Sequence, residues 1–173
     1  LQNEAFLTLA GKDVSKHQIT VEDTFINTQG ATLETGFDAS GHVNSIQAGS
    51  ANLKGTLLVR PVRDFYASED TIELQSPVDI RESGALKANM TVGLVGQIDS
   101  PTLSFAMKGD SFTDSSSMPS VFANRSDNAY SQYALDTGSR STGLALDFIA
   151  DKAHGDMQDL LEALDWSAPD GSD

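Results

Sequence analysis

The chain has 173 residues, a formal net charge of -14, no cysteine and 39% hydrophobic residues. Its length is typical of one domain with a substantial core, and it is too apolar for a disordered acidic chain. The negative charge argues against binding to nucleic acid or to an anionic membrane surface, because Lys and Arg supply that affinity. The lack of cysteine excludes disulfides, thiolate metal sites and cysteine nucleophiles.

The two ends of the sequence predict a piece of a longer polypeptide. The chain begins without Met inside a strand-like run, EAFLTLAG, and it ends in small, acidic residues directly after a helical pattern. It contains neither the pattern of a signal peptide nor an apolar run that approaches the length of a membrane span. We therefore expect further sequence on both sides.

Residues 1–112 are predicted to be β structure. Short apolar or alternating runs are separated by Gly, Asn, Asp and Ser, which favour turns; examples are HQITVEDTFIN, ATLETGFDASG and PTLSFAMKGDSF. These units recur at intervals of roughly 10–20 residues, a spacing compatible with an antiparallel sandwich or with a β-solenoid. Because no strict repeat is visible, the pattern alone favours the sandwich and leaves the solenoid open.

A polar, Ser-rich passage, SFTDSSSMPSVFANRSDN, separates the β region from three predicted short helices. The first helix, in SDNAYSQYALDTG, is expected to start at Ser126 or Asp127 and to stop at Gly138. The second, in STGLALDFIADKAHG, is expected to end at Gly155. The third is capped by Asp156 and carries an apolar stripe with helical spacing, formed by Met157, Leu160, Leu161 and Leu164.

No catalytic or metal-binding constellation is expected from the residues. The histidines His17, His42 and His154 are isolated, whereas metal ligands usually cluster at short spacings. The acidic clusters VEDT and SEDT are interpreted as solvated turns rather than as paired catalytic carboxylates. The DTG of ALDTGSRS lacks the strand–turn context of an aspartic protease. We interpret the aromatic residues Tyr130, Tyr133 and Trp166 as packing residues rather than as a sugar-binding surface.

Several short motifs occur in a particular order along the chain. A strand pattern is followed by an aromatic pair, by a second strand, by an SPxLxF strand, by a helical entry and by a GDMxxLxALD helix. The matching residues are Gly55, Leu57, Val59, Pro61, Phe65, Tyr66, Thr71, Ile72, Leu74, Gly96, Ser100, Pro101, Leu103, Phe105, Arg125, Asn128, Ala134, Gly155, Asp156, Met157, Leu160, Leu161, Ala163, Leu164 and Asp165. In this order the motifs resemble the C-terminal part of the passenger of bacterial autotransporters, the family of type V secretion.

The resemblance implies a mainly β fold: the end of a right-handed parallel β-helix, capped by a β-sandwich-like element and followed by short C-terminal helices. The alternative fold is an antiparallel β-sandwich with a helical appendix. The implied division is residues 1–50 as β-helix-like coils, 51–112 as an autochaperone or cap-like β region, 113–125 as a Ser-rich spacer, and 126–173 as a helical segment that leads to an outer-membrane barrel.

The function implied by the resemblance is that of a structural stem and autochaperone, which promotes folding and translocation of the passenger across the outer membrane. Its partners would be its own upstream passenger, the downstream barrel and, through the parent protein, the outer-membrane assembly machinery; self-association stays open. The expected location is the bacterial cell surface, after a transient periplasmic stage, in the setting of a secreted virulence factor or adhesin. We expect no enzymatic activity, cofactor, metal or nucleic acid. The alternative is a secreted ligand-binding or adhesive module for haem or glycan, and a hydrolase fragment ranks last.

Overall fold

The computed structural model describes residues 1–9, 11, 14, 17–81, 83–96, 98 and 100–167. The protein is mainly β, with a parallel sheet that nearly closes on itself and short helices near the C-terminus. The chain divides into two compact units. Unit 1 comprises Leu1–Val62, Ile72–Gly96 and Met107–Val121, and unit 2 comprises Arg63–Thr71, Gln97–Ala106 and Phe122–Asp173.

The larger sheet contains eight strands of the described part of the chain and the smaller sheet three. The larger sheet is formed by β1 (Gln2–Asn3), β2 (Phe6–Thr8), β3 (His17–Asn27), β4 (Thr32–Phe37), β5 (Ser45–Pro61), β7 (Val78–Ile80), β8 (Leu86–Leu94) and β10 (Ser111–Phe112). The smaller sheet has the order β6 (Asp70–Glu73), β11 (Ser120–Arg125) and β9 (Leu103–Lys108). Two helices follow, α1 (Thr137–Ile149) and α2 (Asp156–Asp165).

Strands of unit 1 stack in parallel on strands that lie one segment further along the chain. β1 pairs with β3, β3 and β4 pair with β5, β2 pairs with β4, and β5 pairs with β7 and β8, all in parallel. The register places apolar side chains in a column: Leu7, Leu33, Leu57 and Val92. The alternative of an antiparallel sandwich is therefore wrong for the larger sheet. Alternating hydrophobicity reports which face of a strand is buried, but it does not report the direction of its neighbour.

β5 is a long strand whose partner on one side changes at Gly55, a position that we call the corner. Its first half pairs with β3 and its second half pairs with β4. Gly55 has a φ of +80°, a conformation that favours glycine. Asn27 supports the same corner, because its buried side-chain amide donates to the carbonyl oxygen of Lys54 at 2.7 Å. The Oδ1 of Asn27 in turn accepts a hydrogen bond of 2.7 Å from the side chain of Asn3, one strand further out.

The interior of unit 1 is filled by large apolar side chains that are almost fully buried. They come from the stacked strands and from β10: Phe25, Leu33, Phe37, Ile46, Leu53, Leu57, Val59, Met90 and Phe112. β10 is the exception in direction, because it pairs antiparallel with β8 at Thr91 and Met90. The last parallel strand of the stack is thus partly covered by a strand that runs the opposite way.

The helices of unit 2 differ from the sequence expectation at several boundaries. The second predicted helix was expected to end at Gly155, but α1 ends at Ile149 and a 3-10 turn, Ala150–Lys152, follows it. The first predicted helix is reduced to a one-turn 3-10 segment, Ser131–Tyr133. The stop at Gly138 is wrong, because α1 begins at Thr137. The side chain of Asp136 accepts from the backbone N–H of Ser139 and the Ser139 hydroxyl pairs with the N–H of Asp136, which forms a capping box. Gly155, rather than Asp156, is the N-cap of α2.

The apolar stripe of α2 is mostly confirmed. Leu161 is fully buried, and Met157 and Leu164 pack against the same cluster of Ala129, Tyr130, Ala150 and Leu161. Leu160 remains 46% exposed. None of the described helices is both long enough and apolar enough for a bilayer crossing.

The predicted Ser-rich spacer, residues 113–125, includes a strand. β11 (Ser120–Arg125) buries Val121, Ala123 and Arg125 on alternate positions. The preceding serines form a turn, in which the Ser117 hydroxyl accepts from the backbone N–H groups of Thr113 and Asp114. The sequence pattern did not reveal this strand, because Arg125 stands at one of its buried positions.

Candidate functional site

A buried ion pair occupies the interior of unit 2. The Arg125 Nη2 lies 2.6 Å from the Asp165 Oδ2, and the side chains are 3% and 0% exposed. The Arg125 Nε adds a longer hydrogen bond of 3.4 Å to Oδ1. Arg125 is the last residue of β11 and Asp165 is the last residue of α2, so the pair connects a strand end to a helix end. A charge pair without access to water needs further hydrogen bonds to be stable.

Neighbouring groups supply those further hydrogen bonds. The hydroxyls of Thr102 and Tyr130 both donate to the Asp165 Oδ1, at 2.6 and 2.8 Å. The Arg125 Nη2 also donates to the carbonyl oxygen of Tyr66 at 2.9 Å. We call these five residues the Arg125–Asp165 network. It joins four segments of unit 2 that are distant in sequence.

The ionisation states favour the network. Burial, together with the negative charge of Asp165, raises the pKa of the Tyr130 phenol above its ordinary value, so that Tyr130 stays protonated and donates. Burial acts to lower the pKa of Arg125, but the hydrogen bond and the charge of Asp165 outweigh burial. The pKa of Arg125 is therefore raised and its charge is retained.

Aromatic rings surround the network. The guanidinium of Arg125 lies over the ring of Phe65, 5.1 Å from its centroid. Tyr66 makes an edge contact with Phe105 at 4.9 Å and lies 6.2 Å from Trp166. The Trp166 Nε1 donates to the carbonyl oxygen of Asp64 at 2.9 Å. The ring of Phe65 therefore packs on the ion pair, and the hydrogen bond of Trp166 ties the residue after α2 to the segment that begins unit 2.

One atom of Arg125 is less well satisfied. Its Nη1 is buried without a hydrogen-bond partner in the described part of the chain, and it lies 3.9 Å from the Asp151 Oδ1. A small polar cavity of about 120 Å³ adjoins it, lined by Ser68, Ser126, Asp127, Asp147 and Asp151 among others. This space is large enough for a few water molecules, each of which occupies about 30 Å³ in the liquid.

The stability of the protein should fall at high pH because of Tyr130. In the unfolded chain Tyr130 loses its proton near pH 10, whereas in the folded chain its raised pKa retains the proton. Above about pH 10 the free energy of unfolding should therefore decrease by about 1.4 kcal/mol for each pH unit, until the folded-state pKa is reached. Urea titrations between about pH 9 and pH 11 measure this slope. An equal slope in Tyr130→Phe would show that other groups cause it.

The histidines and the acidic clusters considered from the sequence take no part in the hydrogen bonds of the network among the residues that the structure describes. In unit 1 the His42 Nδ1 lies 3.0 Å from the Asp38 Oδ2, and Asp38 also accepts from the backbone N–H of His42. His154 is exposed, and the side chain of His17 lies outside what the structure describes. The acidic residues of VEDT and SEDT are exposed: Glu22, Asp23, Glu69 and Asp70. Within the described residues, no group of three His, Asp or Glu side chains could hold a metal ion.

The aromatic residues considered for sugar binding are mainly engaged in unit 2. Tyr130 is buried in the network, and Trp166 is half-buried with its N–H bonded. Tyr133 is 44% exposed, although its hydroxyl donates to the Pro101 carbonyl oxygen at 2.9 Å. These three side chains do not form an exposed aromatic platform.

The structure brings together two residues that the autotransporter motifs matched separately, Arg125 and Asp165. The roles of Thr102 and Tyr66 were missed, and no local signal could reveal them, because their contacts join residues 63 and 59 positions apart. Both carboxylate oxygens of Asp165 accept hydrogen bonds inside the protein, so the network fits a structural role. No protein-family model, curated protein or solved structure matches this chain.

Proposed function

We propose that this chain is the non-enzymatic stem and autochaperone of an autotransporter passenger, which promotes folding and translocation of the passenger at the outer membrane. The observation that carries the proposal is the parallel stacking of unit 1, in which each segment continues the sheet of the one before. We interpret this stacking as the end of a right-handed parallel β-helix. Such coils contact only their neighbours, so folding can begin at one end and propagate.

The two edges of the stack differ, and the difference supports growth of the stack at the edge formed by β1 and β2. β1 and β2 stand at the ends of the strand order, and in the described part of the chain each pairs with a single strand. Leu1, which precedes β1, and Phe6 of β2 are apolar and are 60% and 56% exposed. A preceding coil of the passenger would pair with this edge and cover those side chains. At the opposite edge β10 covers the middle of β8, and covered edges resist pairing with other chains.

Unit 2 is suited to remain folded while a passenger is still unfolded. Its stability comes from contacts within the unit, namely the Arg125–Asp165 network and the apolar cluster around Leu161. In the proposed setting it would stand between the passenger and the membrane barrel, on the bacterial cell surface. The partners are then the passenger, the barrel and, through the parent protein, the outer-membrane assembly machinery.

A surface-display assay tests the proposal. The chain is placed between a reporter passenger and an autotransporter barrel, and reporter exposed on intact cells is measured by protease accessibility. We expect display with the complete chain, and loss of display when residues 51–112 are deleted. Arg125→Met should also reduce display, whereas Arg63→Met, at a surface pair with Glu162, should not. Unchanged display after the deletion would contradict the autochaperone role, and so would a parent gene that encodes no membrane barrel after this segment.

A further inference from the structure

A second feature of unit 2 is an apolar cleft of about 410 Å³ beside α1. Its walls include Pro101, Ala134, Gly143, Leu146 and Leu164. The volume falls within the range of about 300–1,000 Å³ that is typical of small-molecule sites. No charged side chain lines the cleft among the residues that the structure describes.

Six hydroxyl-bearing side chains also line this cleft, and the oxygen of each lies within hydrogen-bond distance of an acceptor in the protein. Thr102 and Tyr130 donate to Asp165. The other four donate to nearby oxygens: Tyr133 to Pro101, Ser139 to Asp136, Thr142 to Gly138 and Ser167 to Ala163. A hydroxyl has a single hydrogen, so while these hydrogen bonds are kept the oxygens offer lone pairs to an occupant.

The cleft is therefore apolar and its hydroxyls are acceptors. A ligand that carries a carbonyl or carboxylate would bury an acceptor against acceptors, and an acceptor left without a hydrogen bond weakens binding. Haem fits poorly for the same reason, because its carboxylates would meet no cation in the described lining. A neutral ligand with an apolar body and an N–H or O–H group matches both properties of the cleft.

We propose that this cleft binds a neutral aromatic molecule that carries a hydrogen-bond donor, of the indole or phenol class. The ring would contact Leu146 and Leu164, and the donor would reach the hydroxyl oxygens of the lining. Binding of this kind is independent of the stem function, since it requires only unit 2.

Isothermal titration of the complete chain with indole and with benzofuran tests the proposal. Benzofuran has nearly the same shape as indole, but an oxygen acceptor replaces the N–H donor. We expect indole to bind at least about tenfold more tightly than benzofuran, a difference of about 1.4 kcal/mol. Failure of indole to bind up to its solubility limit, or equal affinities for the two compounds, would overturn the proposal.

Two tryptophan substitutions on α1 locate the site. Thr142 is exposed and lines the cleft, whereas Ala145 is exposed on the same helix outside it. Thr142→Trp should fill the cleft and abolish indole binding, while Ala145→Trp should bind indole as the unchanged chain does. Circular dichroism checks that both variants are folded. Indole binding that survives in a folded Thr142→Trp protein would place the ligand elsewhere and refute the assignment.

Discussion

Arg125→Met should lower the free energy of unfolding by about 3–5 kcal/mol, because it leaves the buried carboxylate of Asp165 without its cation. Asp165→Leu should have a similar effect. It leaves the buried guanidinium of Arg125 without its carboxylate and also removes the acceptor of the Thr102 and Tyr130 hydroxyls. The double variant should be destabilised by less than the sum of the two single changes. It does not regain full stability, because the two hydroxyls and the carbonyl of Tyr66 stay without partners.

The matched control for this pair is the exposed ion pair of Arg63 and Glu162. Its atoms lie 3.0 Å apart, but the side chains are 60% and 28% exposed. Arg63→Met should therefore cost less than about 1 kcal/mol. Urea titrations of all variants, analysed with a double-mutant cycle, give the coupling energy directly. If Arg125→Met were no more harmful than Arg63→Met, the network would not be a main source of stability in unit 2.

Gly55→Ala should destabilise unit 1 by at least about 3 kcal/mol, from positive-φ strain and from steric overlap. A Cβ at this position would lie 2.4 Å from the Ala31 carbonyl oxygen and 2.6 Å from that of Thr28. Both contacts are to backbone, which cannot move away as a flexible side chain could. The corner that lets β5 pair with two different strands would have to open.

Gly30→Ala is the control for Gly55→Ala, because it makes the same substitution at a position where the added methyl group meets no neighbour. A Cβ at Gly30 would have no neighbour within 4 Å, so the effect should stay within about 1 kcal/mol and could be stabilising. Urea titrations followed by far-ultraviolet circular dichroism measure the unfolding midpoints of both variants. Equal midpoints for Gly55→Ala and Gly30→Ala would mean that the corner tolerates a side chain and that the strand adapts.

Hydrophobic pattern and turn residues predicted the β region well, but they could not predict its pairing. The strand TLLVRP was recognisable because apolar residues follow one another, yet its neighbours, β4 and β8, come from segments that lie far away in the chain. Pattern alone favoured an antiparallel sandwich, and only the motif resemblance implied parallel coils. Strand direction is decided by contacts between distant segments, which a local pattern does not contain.

The predicted helix boundaries were wrong where the same residues could be interpreted as the end of one helix or as the start of the next. Gly138 follows an apolar helical pattern and was interpreted as a stop, whereas the sequence from Asp136 to Ser139 is a capping signal that starts α1. The apolar spacing of α2 was more reliable, because Met157, Leu161 and Leu164 all pack on one cluster. The ion pair could not be predicted from pattern, since Arg125 and Asp165 are ordinarily surface residue types.

The antiparallel pairing of β10 on β8 has a consequence for assembly. A parallel stack with two equivalent open edges could add units at either one, and copies of the chain could then join end to end into fibres. Here β10 runs against the direction of the others and pairs with Met90 and Thr91 of β8. The middle of this edge is therefore occupied, and a second copy of the chain would have to displace β10 before it could pair there.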